Sequence, residues 1–168
     1  MQDYLVKILS DDGLVRGIAC VTTQLSNTAC RKHDTSPTPS DVLARGLTAG
    51  ALYSSLLKPR HRVNLKFEGN GPLGKMLIET DWRGTLRGYV ANPHAELPLK
   101  EGKLDVNNLI GSAGLLTVTK DLEMKEPYRS TVHLVSGGIG EDLAYYFTES
   151  EQIPTAVGIG VALSTDKI

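Results

Sequence analysis

The clearest helical pattern of the chain spans residues 38–59, TPSDVLARGLTAGALYSSLLKP. Thr38 is a suitable N-cap, Pro39 suits the first helical position, and Asp41 places a negative charge in the first turn. Apolar or small residues fill most positions from 42 to 57. A helix with so little polar surface is predicted to be buried on more than one side.

Two glycines, Gly46 and Gly50, lie four residues apart on one face of this predicted helix, and Ser54 continues the same stripe. Small residues at this spacing allow another element to approach closely. A specialised close-contact seam would give the pattern a functional meaning, but such seams are characteristic of membrane helices. We therefore expect the helix to lie tight against a sheet.

Short segments typical of β-strands make up most of the remaining chain. Val63, Leu65 and Phe67 alternate with polar residues, which predicts a strand with one buried face. The turn-linked spacing favours antiparallel pairing, and the order of elements lacks regular β-α-β alternation. The sequence therefore predicts an α+β fold of mainly antiparallel β-sheets packed with the long buried helix and shorter helices. Strands are predicted over 4–9, 14–25, 63–68, 76–80, 85–91, 115–119, 131–136 and 155–164, and shorter helices over 27–33, 106–110 and 141–150.

Length and charge narrow the possible classes of protein. A chain of 168 residues corresponds to one domain with a core of its own. Its 18 basic and 19 acidic residues give a net charge of −1, so we expect no nucleic-acid partner. No apolar run approaches the ~20 residues that span a bilayer, and the N-terminus lacks a signal-peptide pattern. We therefore expect no membrane partner and a cytoplasmic location.

The residues that most often carry chemistry are few and scattered. The two cysteines, Cys20 and Cys30, form no C-x-x-C pair, so a zinc ribbon within this chain is excluded. Cys20 alternates with strand residues and is interpreted as a small core residue, whereas Cys30 stands beside Arg31 and Lys32, which could lower its pKa. The four histidines show no metal-ligand spacing, and the zincin and α/β-hydrolase motifs are absent.

Two glycine-rich stretches invite comparison with phosphate-binding loops. Gly69–Gly74 lacks the lysine and the Ser or Thr of a P-loop and precedes a strand, so a rigid turn is the preferred interpretation. Gly137–Asp142 opens a predicted helix, but Glu141 and Asp142 already satisfy its positive end. An enzyme with a small-molecule pocket near these two stretches remains the alternative hypothesis. The residues alone show no catalytic constellation.

A series of short segments is more informative than any one motif. In order along the chain they are Gly71-Pro72-Leu73-Gly74, Leu86-Arg87-Gly88-Tyr89-Val90, Asn92-Pro93, Glu96-Leu97-Pro98-Leu99, Gly102-Lys103-Leu104-Asp105-Val106, Val118-Thr119-Lys120-Asp121-Leu122, Lys125-Glu126-Pro127-Tyr128, Glu141-Asp142-Leu143-Ala144-Tyr145-Tyr146 and Ser150-Glu151-Gln152. This series closely resembles the N-terminal domain of the heat shock protein 33 family. The resemblance extends from Tyr4 to the last residue.

The resemblance implies a redox-regulated chaperone of the stress and heat-shock response, and not an enzyme with catalytic residues. Such a holdase binds unfolded client proteins without ATP under oxidative and heat stress, and it dimerises on activation. A C-terminal domain holds zinc through four cysteines in C-x-C and C-x-x-C pairs, and disulfide formation releases the zinc and unfolds a linker. Residues 1–168 would then be a truncated N-terminal domain for client binding and dimerisation. The linker and the zinc cysteines would lie beyond Ile168, and we expect no cofactor in this chain.

The family resemblance also gives a hypothesis for the client-binding surface. By alternation, Leu77 and Tyr89 belong to the sheet face opposite Val63, Leu65 and Phe67, and are the candidates for facing clients and the linker. A broad apolar sheet face would favour the chaperone, whereas a deep polar pocket with converging titratable groups would favour the enzyme. A purely structural dimerisation module is the third possibility.

Overall fold

The structure is a computed structural model that describes residues 2–164 of the chain. The strands in this part are β1 (Tyr4–Leu9), β2 (Arg16–Val21), β3 (Arg62–Gly69), β4 (Lys75–Asp81), β5 (Leu86–Val90), β6 (Gly114–Asp121) and β7 (Tyr128–His133). The helices are α1 (Thr23–Lys32), α2 (Pro37–Ser54), α3 (Val106–Ile110) and α4 (Ile139–Glu149).

These strands form two separate sheets. β1 and β2 pair as an antiparallel hairpin, which we call the N-terminal hairpin. The larger sheet has the order β5-β4-β3-β6-β7, so β3 lies at its centre. Every neighbouring pair in the larger sheet is antiparallel. Together with the long helix α2, this arrangement confirms the predicted α+β fold.

Helix α2 packs directly on the five-stranded sheet. A Cβ atom added at Gly46 would lie 2.4 Å from the Sδ atom of Met76, and one added at Gly50 would lie 2.7 Å from Cγ2 of Ile78. The two glycines therefore allow the helix to approach the sheet, as the sequence interpretation requires. Within residues 2–164, no helix is both long and apolar enough to cross a membrane.

The start of α2 differs from the prediction. The helix begins at Pro37 with Ser36 as its N-cap residue, so Thr38 and Pro39 lie inside the first turn. The Ser36 side chain makes no capping hydrogen bond; instead the backbone N–H of Thr38 donates to Oε1 of Glu96 at 3.2 Å, and the Thr38 hydroxyl donates to Oε2. A carboxylate from a distant loop satisfies the helix start, which local sequence could not reveal.

The core lies between α2 and the inner face of the five-stranded sheet. Val63, Leu65 and Phe67 alternate as fully buried residues of β3, and Phe67 is only 1% exposed. Helix α4 closes the same core, where the rings of Tyr53 and Phe147 stack with their centroids 5.3 Å apart. The sheet is thus supported from below by dense apolar packing, while its other face remains outside the core.

The strand predicted over residues 14–25 is too long. β2 ends at Val21, and α1 follows from Thr23. The carboxylate of Asp3 accepts the backbone N–H groups of Gln24 at 2.9 Å and Leu25 at 2.8 Å, and so caps α1. Because this cap comes from a residue about twenty positions away, the β-prone composition of the segment was misleading.

The predicted final strand, 155–164, is extended but unpaired. Its odd-numbered residues are half-buried and its even-numbered residues are exposed, as in a strand resting on one face. Within the described part of the chain, no strand pairs with it. The guanidinium of Arg45 donates from Nη1 to the carbonyl of Ile159 at 3.0 Å. The prediction of the backbone shape holds, but the prediction of a sheet strand is wrong for this structure.

Candidate functional site

The candidate residues Leu77 and Tyr89 are direct neighbours across β4 and β5. Leu77 also stands opposite Lys66 of β3. Leu77 is half-buried and Tyr89 is 38% exposed. They lie on the sheet face away from α2, which we call the outer face; its other residues include Lys66, Glu68, Glu79, Arg87, Leu115, Thr117 and Thr131.

Ion pairs surround these two residues on the outer face. Arg87 donates from Nη2 to both carboxylate oxygens of Glu79 at 2.8 Å. Lys66 pairs with Glu68 at 2.5 Å, and its hydrogen bond lowers the pKa of the Glu68 carboxyl. Leu115 adds a partly exposed apolar side chain opposite Glu68. The outer face therefore has a small apolar patch in a charged surround, rather than the broad apolar surface we expected.

A larger set of exposed apolar residues lies on the N-terminal hairpin. Leu14 in its connection is 83% exposed and Ile8 in β1 is 69% exposed. The sequence does carry a signal for this exposure. Apolar and polar residues do not alternate in Tyr-Leu-Val-Lys-Ile-Leu over 4–9, so both faces of β1 carry apolar side chains. Sequence reasoning identified the strand and missed its exposure. The exposed apolar residues of this region are Tyr4, Leu5, Val6, Ile8, Leu9, Leu14 and Val15.

Two open cavities separate the N-terminal hairpin and α1 from the extended segment 153–164. One has a volume of ≈ 780 Å³, and Val15, Cys20, Leu52, Phe147 and Pro154 are among its lining residues. The other, of ≈ 560 Å³, is lined by residues of α1, α2 and the segment 160–164. Apolar side chains and small polar groups dominate both linings, so neither brings converging charged groups to one point.

The two loops proposed for the alternative enzyme pocket leave little space around their own backbones. A Cβ atom added at Gly71 would lie 2.3 Å from the carbonyl oxygen of Leu109, and one at Gly137 would lie 2.6 Å from that of Asn107. Both loops therefore pack against the backbone of α3. A third cavity of ≈ 740 Å³ does contain charged groups, among them the ion pair of Asp41 with Arg45, but no residue of either loop lines it. This geometry gives no support to a pocket shared by Gly69–Gly74 and Gly137–Asp142.

Asp142 is the most deeply buried carboxylate among the described residues of the second loop. Its Oδ1 accepts the backbone N–H groups of Val135 at 2.7 Å and Ser136 at 3.1 Å. Burial raises the pKa of Asp142, and the two amides offset only part of that effect. The carboxylate therefore holds the connection between β7 and α4 in place. This is a structural role, as the preferred interpretation of a turn requires.

A second group of titratable side chains ties the end of α4 to the sheet. The Tyr146 hydroxyl donates to Oε1 of Glu151 at 2.5 Å, and Lys120 of β6 forms an ion pair with the same oxygen. Burial raises the pKa of Tyr146 and Tyr53 well above the usual range. Burial also raises the pKa of Glu151, but the Lys120 and Tyr146 hydrogen bonds outweigh it and the net shift is downward. The charges neutralise each other, which leaves neither a free base nor a nucleophile.

Of the two cysteines, Cys30 is the buried one and Cys20, interpreted as a core residue, is only half-buried. Cys30 is only 8% exposed, and its thiol donates to the carbonyl of Ser40 at 3.6 Å. Cys20 is half-buried; burial and the negative charge of Asp3 raise the pKa of its thiol. Both thiols are free. Within residues 2–164, no three His, Cys, Asp or Glu side chains come together in a way that could hold a metal ion.

Comparison with known proteins agrees with the resemblance seen in the sequence. The family model described as Hsp33 protein matches residues 3–168. A relative named 33 kDa chaperonin, from Desulfotalea psychrophila, is 56% identical over 164 residues, which are 98% of this chain and 56% of that protein. Another of the same name, from Geobacter sulfurreducens, is 54% identical and is covered over 54% of its length.

Solved structures point to the same family. The crystal structure of the 33 kDa chaperonin from Thermotoga maritima superposes with a TM-score of 0.93 at 42% identity. The match covers 97% of this chain and 56% of that one, so the chain spans a little over half the length of these relatives. The names of these relatives describe chaperones and not enzymes. The sequence series, the fold and these matches agree, and the chain belongs to the Hsp33 protein family.

Proposed function

We propose that the chain is the client-binding part of an ATP-independent chaperone, a holdase that keeps unfolding proteins from aggregating. The observation that carries the proposal is membership of a family whose relatives are named 33 kDa chaperonin. The exposed apolar side chains of the outer face and of the N-terminal hairpin support it. Unfolding clients expose apolar side chains, and burial of such surface is the general driving force for their capture.

The outer-face pair Leu77 and Tyr89 is the proposed contact for clients. Tyr89 offers a large apolar ring together with a polar hydroxyl, a combination that suits a surface alternately wet and covered. The neighbouring pairs Arg87–Glu79 and Lys66–Glu68 satisfy their own charges. A client segment can therefore bury Leu77 and Tyr89 without stripping water from an unpaired charge, which would be costly.

The proposed regulation lies outside this chain. In the full-length protein a C-terminal domain would hold zinc through four cysteines, and disulfide formation would release the zinc and uncover the client surface. Cys30 is buried and Cys20 has a raised thiol pKa, so both are poor sensors of oxidants and neither fits a zinc site. Location in the cytoplasm and dimerisation on activation belong to the same proposal.

Light scattering from a thermally unfolding client tests this proposal. The full-length protein and the 168-residue chain are each added in reduced and in oxidised form. The full-length protein should suppress aggregation only after oxidation, whereas the chain alone should behave identically in both forms. Activity of the chain alone that switches reversibly with peroxide and reductant would contradict the placement of the switch. Failure of both proteins to suppress aggregation in any form would contradict the holdase.

A further inference from the structure

The connection between β3 and β4 contains the dipeptide Asn70-Gly71. Glycine lacks a Cβ atom, so the backbone nitrogen after the asparagine is unusually open to movement and attack. In such a pair the Gly71 nitrogen loses its proton and attacks Cγ of Asn70, and the bond from Cγ to Nδ2 breaks. Ammonia leaves and a cyclic succinimide remains. Water then opens the ring to aspartate or isoaspartate, so water is the only co-reactant.

In the folded chain the attacking nitrogen is occupied. The Gly71 N–H donates to the carbonyl of Ile110 at 2.9 Å, and the Leu73 N–H donates to that of Leu109 at 3.0 Å. The other reacting group is held as well, because Oδ1 of Asn70 accepts the backbone N–H of Ala113 at 3.2 Å. The reaction requires the Gly71 nitrogen to turn away from its acceptor and toward the Asn70 side chain.

The backbone of α3 also packs closely against the turn. A Cβ atom at Gly71 would lie 2.3 Å from the carbonyl oxygen of Leu109, and one at Gly69 would lie 2.2 Å from that of Ile110. Asn70 itself is exposed, so the water needed for the second step reaches it freely. The barrier to reaction is therefore the contact of the turn with the end of α3, and not exclusion of solvent.

We propose that Asn70 is a site of spontaneous deamidation that the contact between α3 and the β3–β4 turn guards in the folded chain. Modification occurs only while the turn is detached from α3, so each modified molecule records a past local opening. Isoaspartate inserts an extra carbon into the backbone between β3 and β4. That insertion moves the Gly71 nitrogen away from the Ile110 carbonyl, and the modified turn closes less well.

Peptide mass spectrometry measures the effect directly. Trypsin releases residues 67–75, in which Asn70 is the single asparagine. The folded chain is incubated at neutral pH beside the same chain unfolded in urea and beside a synthetic peptide of residues 67–75. Because only the open state reacts, the folded chain should deamidate at least about tenfold more slowly than either reference. Equal rates in the folded and unfolded chains would overturn the proposal.

Amide exchange supplies a second measurement without any substitution. The protection factor of the Gly71 N–H in the folded chain should match the slowing of deamidation within a factor of about three, since both report the same opening. Asn27, which precedes Thr28, serves as the internal reference and should remain unmodified in the folded and in the unfolded chain. A Gly71 amide that exchanges freely while Asn70 stays intact would show that α3 is not the guard.

Discussion

The outer face of the five-stranded sheet and the N-terminal hairpin both expose apolar side chains, but their support differs. Beneath the outer face, residues such as Phe67 and Ile78 pack into the dense core against α2. β1 of the hairpin is exposed along its whole length, and Lys7 donates from Nζ to the carbonyl of Ser55 at 2.7 Å. The same kind of exposed surface therefore occurs once on a rigid support and once on a weakly held one.

This difference shows that a large exposed apolar surface does not by itself make a fixed binding site. A two-stranded hairpin is marginally stable on its own, and here β1 is exposed while β2 is mostly half-buried. The outer face has fewer apolar residues, yet Leu77 is kept in register by pairing of β4 with β3 and β5, and Tyr89 by pairing of β5 with β4. We infer that clients contact the fixed site on the sheet, and that the hairpin is an adaptable surface without a fixed contact geometry.

The largest expected difference between the two regions is in the effect of removing one apolar side chain. Phe67→Ala should lower the free energy of unfolding by about 3–5 kcal/mol, because it leaves a cavity beneath the sheet. Ile8→Ala in the hairpin should change it by about 0.5 kcal/mol or less, since Ile8 is 69% exposed. Urea unfolding followed by circular dichroism measures both. Similar losses would show that the hairpin is part of the cooperative core.

Backbone amide exchange should show the next largest difference. The amides that β1 and β2 donate to each other should exchange at least about a hundredfold faster than those between β3 and β6, because local opening needs little loss of packing. Nuclear magnetic resonance resolves the individual amides. Equal protection in the two sheets would remove the distinction between a rigid and an adaptable region.

A smaller, pH-dependent effect is expected only in the part of the chain built on the five-stranded sheet. The pKa of Asp142 is raised by burial in the folded chain, so the folded state holds this proton more tightly than the unfolded state does. Its contribution to stability is therefore fully present below the unfolded value of ~4 and is lost as pH rises through the folded pKa. Each unit of that rise corresponds to about 1.4 kcal/mol.

Asp142→Asn removes this titration and is the matched control. Other carboxylates also respond to acid, so the informative quantity is the difference between the two chains. On going from about pH 7 to about pH 4, the parent should gain stability relative to Asp142→Asn in urea unfolding. Exchange of the hairpin amides should change equally in both chains. A relative loss of parental stability on acidification would show that the carboxylate is held in its charged form.

Sequence patterns predicted the five-stranded sheet and α2 well, because the alternation of apolar residues matches their burial there. Val63, Leu65 and Phe67 point into the core, and the helix with Gly46 and Gly50 lies tight on the sheet. The errors occur where distant groups decide the outcome. Asp3 caps α1 and Glu96 completes the start of α2, and neither contact leaves a local signal.

The candidate site was predictable only in part. Alternation identifies which residues share the face of Leu77 and Tyr89, but it does not reveal the cross-strand pair of Arg87 with Glu79. The exposed hairpin was missed because β-propensity reports the strand and not what covers it. The burial of Cys30 likewise depends on its contact with Ser40, so a neighbouring Arg and Lys were a misleading guide to reactivity.

The central claim, that clients bind the outer face, is tested most directly by aggregation of a heat-unfolding client in the presence of three folded variants. Leu77→Asp with Tyr89→Asp should require at least about fivefold more chain for the same suppression as the parent. Thr131→Asp, a control on the same face, and Ile8→Asp in the hairpin should suppress aggregation nearly as well as the parent. Full activity of the Leu77 and Tyr89 variant, with loss of activity in Ile8→Asp, would contradict the account and place the clients on the hairpin.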